Sequence, residues 1–182
     1  MILSTGLKTD YKPLEAINEA DSVYIVRWDC KPLPGKDDMA VWAEEILYGK
    51  PAESEMRRII NGYYNGITDR KILQDFTWHG MPKWLSDENQ RNYKAAYDLA
   101  VQTGGETLPV VFKFGSDEQP VYHTFGTMDE LEEFYMSVYR HIEQCLADGW
   151  ANKDAVDYGV YELDGCNIRV SCNAVLTALK QH

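Results

Sequence analysis

No run of apolar residues in this 182-residue sequence approaches the roughly 20 needed to cross a bilayer, so a membrane-spanning helix is not expected. No basic run interrupts a formal charge of −11, from 18 Lys and Arg against 29 Asp and Glu. Such a surface repels a phosphate backbone, and nucleic acid is not an expected partner. The four cysteines, Cys30, Cys145, Cys166 and Cys172, form no CxxC pair. The opening Met1-Ile2-Leu3-Ser4-Thr5-Gly6 has neither the basic nor the apolar region of a secretion signal. The expected location is therefore the reducing cytoplasm where the chain is made, unless it leaves by lysis or within a larger particle. The sequence also lacks GxSxG, phosphate-loop and GxGxxG motifs, internal repeats and low-complexity tracts.

What is present belongs to a folded domain. The chain is 45% hydrophobic, with 12 Tyr and 5 Trp, which is too apolar and aromatic for disorder. Its length is enough for one sizeable core, and a single domain over residues 1–182 is expected. Residues 1–21 carry little pattern and read as an irregular N-terminal arm.

The architecture turns on the stretch Phe76-Thr77-Trp78-His79-Gly80-Met81-Pro82-Lys83-Trp84-Leu85-Ser86, where apolar spacing changes from two to three and four; its residue types are those of a structural joint, and none of them forces a reaction. It reads as a short strand, a Gly/Pro turn, a second short strand and, after Ser86 as N-cap, a helix over 87–102 carrying Tyr93, Ala96, Tyr97, Ala100 and Val101 on one face. Upstream, 22–28 alternates as a strand, and the prolines of 31–36 are expected to end it. A helix through Tyr48 closed by Gly49, then one opened by Pro51 and fraying at Asn61-Gly62 and Asn65-Gly66, would form an N-terminal helical hairpin. A further short helical turn is expected at 68–73.

Residues 108–114 and 120–125 read as an antiparallel hairpin across a polar, Gly-bearing loop. Thr127-Met128-Asp129-Glu130 is a T-x-x-E capping box, and the apolar positions from Leu131 to Leu146 hold helical spacing as far as Gly149. Asp164-Gly165 signals a last hairpin over 160–171, followed by a short helix from Asn173. The expected fold is α+β: a mainly antiparallel sheet of hairpins, with members near 23–28, 75–85, 108–114, 120–125 and 159–171, packed against two long amphipathic helices.

Few residues point to chemistry. His79 and His123 each sit on a short strand among aromatics, where they could converge on a carboxylate or a metal, but no HxH, HxxxH or HExxH spacing supports a metal centre. Packed, hydrogen-bonded histidines are the better reading. Cys145 follows His141 by one helical turn, as a thiol nucleophile would, yet it also continues the apolar stripe of its helix and reads as a small buried hydrophobe. Cys166 and Cys172 are too widely spaced along one strand for a disulfide. Paired acids such as Asp37-Asp38 and Glu132-Glu133 fall largely at helix starts and turns, where negative charge has a local use. Phe76, Trp78, Trp84, Tyr93 and Tyr97 serve either a core or a recognition surface; core packing is favoured, with Trp78 and Trp84 divided between core and surface. If the cluster does present a binding face, its members are Trp78, His79, Trp84 and His123. No catalytic residue, metal ligand or cofactor is assigned.

The pattern Phe76-x-Trp78-x-Gly80-x-x-x-Trp84-Leu85-Ser86-x-x-Asn89-Gln90-x-Asn92-Tyr93 resembles one found in a family of uncharacterised phage and prophage proteins of gut bacteria, some of them tail or tail-fibre-associated. The resemblance continues through Leu108–Gly115, Pro120–Phe125 and Gly149-Trp150-x-x-Lys153-Asp154, about half the chain. It brings no catalytic residue with it. It implies a non-enzymatic structural, tail-associated or assembly protein that works through protein contacts or self-association. Two other classes stay open at this point: a cytosolic acidic binding or immunity-type protein that sequesters a basic partner, and a small hydrolase using His79 or His123 with a carboxylate.

Overall fold

A computed structural model describes residues 1–18, 20 and 22–161. It is α+β, with antiparallel sheets and three helices, and it divides into two compact units, 1–61 with 156–182 and 62–155. The expected last hairpin, beyond its first residues, and the expected C-terminal helix lie outside the described residues.

The first unit is built on a four-stranded antiparallel sheet in the order β1-β4-β3-β2, with β1 at Ile2–Leu7, β2 at Leu14–Asn18, β3 at Val23–Leu33 and β4 at Lys36–Tyr48. The N-terminal arm is thus not irregular: a 3-10 turn at Lys8–Asp10 joins its two strands. The helical hairpin is overturned as well, because its first half is β4. Ala, Glu and Leu favour a helix there locally, but β4 is bordered by β3 and β1, and strand pairing on both sides satisfies its backbone. Its two faces are buried in alternation, Ala40 and Trp42 on one and Ala43 and Leu47 on the other. β3 runs on through Pro32, its register shifting between Trp28 and Lys31, where Asp29 takes a left-handed φ of 55°. Pro34-Gly35 then makes the β3–β4 turn, with Gly35 at φ 77°.

One face of this sheet carries a polar ladder. Arg27 donates from Nε to Glu44 at 2.9 Å and from a terminal nitrogen to Glu15 at 2.8 Å. Glu44 also accepts from the Ser4 hydroxyl at 2.6 Å and from Trp42 Nε1 at 3.1 Å. Burial pushes the Glu44 carboxyl up, but the hydrogen bonds from Ser4, Arg27 and Trp42 and the Arg27 charge outweigh it and hold the group below its ordinary value. Glu15 is held low in the same way by Arg27 and Lys12. The outer edge of the Trp42 ring lies against Gly6, where a Cβ would meet its Cη2 at 2.8 Å. Cys30 is buried beside Tyr11, Ala40 and Trp42 and is disulfide-bonded.

Helix α1, Glu53–Gln74, runs through both Asn-Gly pairs and absorbs the expected turn at 68–73. Two interior glycines cost about 1 kcal/mol each relative to Ala. The buried stripe Met56, Ile60, Tyr64 and Thr68, recurring every four residues, offsets that cost. Residues 158–161 form a 3-10 turn rather than the start of a strand, with the Tyr161 hydroxyl donating to the Arg27 carbonyl at 3.0 Å.

The second unit contains two separate two-stranded ribbons, β5 (Thr77–Trp78) with β6 (Met81–Pro82) and β7 (Val110–Gly115) with β8 (Pro120–Phe125). The single five-membered sheet is therefore not formed among the described residues; β5 and β6 are too short to do more than close their own turn. Helix α2, Asp87–Gln102, matches its expected bounds, and the Ser86 hydroxyl accepts from the Asn89 amide at 3.2 Å. Helix α3, Met128–Asp154, continues past the Gly149 stop. The hub of the core is Phe134 of α3, whose ring meets Phe76, Trp78, Tyr93, Phe112, Phe114 and Phe125 at centroid distances of 5.0–6.2 Å.

Candidate functional site

The four aromatic and histidine residues singled out from the sequence do not share one exposed surface. Trp78 is 4% exposed and packs edge-on against Phe134, so it belongs to the core. Trp84, 49% exposed, faces solvent, and the division between core and surface is the one expected. His79 occupies the first position of the two-residue turn between β5 and β6. With φ 48° there and 78° at Gly80, the turn has the two positive φ values that suit a right-twisted ribbon. Its exposed ring stacks on Trp78 at 4.2 Å and 15°. Pro82 is paired in β6 opposite Thr77, outside the turn.

His123 is half-buried in β8. Its Nε2 lies 2.8 Å from Glu130 Oε1, and its ring stands edge-on to Phe125 at 4.6 Å. Glu130 in turn accepts from the Gly126 amide at 3.4 Å, while its own amide donates to the Thr127 hydroxyl at 3.3 Å. The capping box therefore closes one residue earlier than its textual spacing implies, and His123 is tied to the start of α3. The described contacts of the two histidines are separate: Trp78 for one, Glu130 and the Phe114 and Phe125 rings for the other.

His141 Nε2 lies 3.1 Å from the Lys71 carbonyl, which can only accept, so that nitrogen carries the proton and has no lone pair for Cys145, 3.7 Å away. Burial raises the Cys145 thiol above its ordinary pKa. The pair is structural, as the apolar stripe implied. Among the described residues no three His, Cys, Asp or Glu side chains gather as metal ligands. No described helix is long and apolar enough to cross a membrane.

Two features escaped the sequence reading. Lys83 is half-buried, with its ammonium 2.6 Å from the Lys113 carbonyl and 5.5 Å from the centre of the Tyr93 ring. Burial, with the Lys113 charge, holds its pKa below the ordinary lysine value. Its bond ties the residue that follows β6 to β7, a role no motif signals. The second is β1. Its side chains include no charge, its six-residue register with β4 is unbroken, and Ile2, Leu3 and Leu7 are exposed. The alternation needed to see a strand is blurred by Ser4, Thr5 and Gly6.

A family model described as a domain of unknown function, DUF4376, matches residues 55–165, more than half of the chain. The chain belongs to the DUF4376 family. The DUF4376 segment takes in nearly all of α1, both ribbons, α2, α3 and the 3-10 turn at 158–161, and it leaves the four strands of the N-terminal sheet outside. The Phe134-centred core and the His123–Glu130 pair of this chain thus lie within the matched segment, and the β1 edge lies outside it. No curated protein and no solved structure matches the chain.

Proposed function

We propose that this protein is a non-enzymatic structural or assembly component that works through protein–protein contacts, of the phage-derived, tail-associated kind that its 76–93 stretch resembles. The observation that carries the reading is that, among the described residues, no further strand pairs beside β1, which leaves it at the edge of its sheet. An edge strand offers unpaired amides and carbonyls, and proteins ordinarily guard it with charge, proline or a bulge. The opposite edge, β2, has such guards in Glu15 and in a register shift between Ala16 and Asn18. β1 has none of them, in a chain of net charge −11. The side chains best suited to chemistry have structural work instead: His123 holds Glu130, His141 holds the Lys71 carbonyl, and the Cys145 thiol is buried.

The test combines light scattering over a wide concentration range with particle fractionation of the native host. Self-association or co-sedimentation with particles is the expected result. A strictly monomeric protein, absent from particles and held by one basic partner in a salt-sensitive manner, would replace this reading with sequestration of that partner.

A further inference from the structure

We propose that the partner at β1 is a second copy of this chain, paired antiparallel about a two-fold axis at Thr5; this deepens the assembly reading and rests on it. A symmetric contact must be self-complementary, because the same patch meets itself. In a protein of charge −11 most surface patches repel their own copy, and β1 is an uncharged stretch that does not.

The order of residues supplies the register. Leu3, Thr5 and Leu7 project from one face of β1. Pairing about Thr5 sets Leu3 against the partner's Leu7, Thr5 against the partner's Thr5, and Leu7 against the partner's Leu3, all on that face. Two exposed leucines, 67% and 44% accessible, are covered by one another on each side of a Thr–Thr pair. Leu3 also continues a buried row. It lies beside Ala43, and Ala43 lies beside Trp28, both nearly inaccessible to solvent. The apolar face of the sheet thus runs outward to β1 and ends there in exposed side chains, which the copy would extend and cover. A pair of five-residue segments, Leu3–Leu7 and its copy, is smaller than a standard interface of about 1,200 Å² or more, so the association is concentration-dependent.

Thr5→Cys with a short bismaleimide tests the register, since directly opposed residues have Cβ atoms about 4.5–5.5 Å apart. Covalent dimer well above that of wild type and of Val121→Cys, another exposed strand position, is expected. Leu3→Lys sets an ammonium in the apolar pair and should weaken self-association about tenfold or more in light scattering, with circular dichroism and melting unchanged because Leu3 is exposed. Self-association that survives Leu3→Lys, without Thr5→Cys cross-linking, overturns the β1 register and leaves the assembly reading standing. A wild-type monomer that still enters host particles has the same meaning. A wild-type monomer absent from particles overturns both.

Discussion

Gly149 of α3 packs directly onto Thr68 of α1. A Cβ at 149 would clash with the Thr68 hydroxyl and come within 3.3 Å of its Cβ. The glycine that resembles a helix stop is instead the place where two helices approach closely, and α3 continues to Asp154.

Gly149→Ala should therefore destabilise the protein by about 1–3 kcal/mol through overpacking, despite the better helix propensity of alanine. Thr68→Ala removes the clashing hydroxyl, so the double variant should recover a large part of the loss. Thermal melts of the four proteins in the cycle measure the coupling, and strict additivity would count against the contact.

At the β5–β6 turn the determinant is backbone conformation. His79 at φ 48° tolerates Asn, which visits that region readily, whereas a β-branched residue is strained there. His79→Val should cost about 1–3 kcal/mol, and His79→Asn clearly less, the loss of stacking on Trp78 being common to both. Denaturant midpoints of the two variants give the comparison.

The N-terminal sheet should be acid-sensitive. Glu44 and Glu15 are held below their ordinary values in the folded state, so their stabilisation is fully present above the unfolded carboxyl range near pH 4.5 and is lost as pH falls through the lowered folded value. Glu44→Gln weakens charge-assisted bonds to Arg27, Ser4 and Trp42 and should cost about 1–3 kcal/mol at pH 7. The same substitution should flatten the decline of stability between pH 5 and 3. Urea titrations across that range decide it; an unchanged slope would assign the acid sensitivity elsewhere.

Cys145 is a buried free thiol with its pKa raised, so native-state alkylation at pH 8 should be slower than that of an exposed thiol by a factor of about a hundred or more, and denaturant should abolish the difference. Peptide mapping after timed labelling distinguishes it from the other cysteines. Fast native labelling would reopen its pairing with His141.

The parts of the fold legible in the sequence are those specified by neighbours along the chain. Ser86 and Thr127 mark their helix starts through their own side chains, and the apolar spacing of α2 and α3 gives their buried faces. The polar loop between Phe114 and Pro120 joins two strands that pair as expected. Of the candidate residues, the division of Trp78 from Trp84 follows from the alternation of a ribbon, but the hydrogen bond of His123 to Glu130 depends on where α3 begins relative to β8. Lys83 gave no signal, because its partner is a main-chain carbonyl thirty residues away.

The sequence by itself therefore determined the antiparallel α+β character, the capped helices α2 and α3 and the β7–β8 ribbon, because caps, turns and periodicity act within a few residues. Tertiary structure decided the rest. β4 is a strand because β1 and β3 border it, against the helical preference of its own residues. α1 passes its Asn-Gly pairs because Ile60, Tyr64 and Thr68 are buried, and α3 passes Gly149 because Thr68 fills the space that a side chain would take. The position of β1 at the edge of the sheet among the described residues belongs to the same class: a strand becomes an edge only through what pairs beside it, and that is a property of the sheet rather than of the six residues that form it.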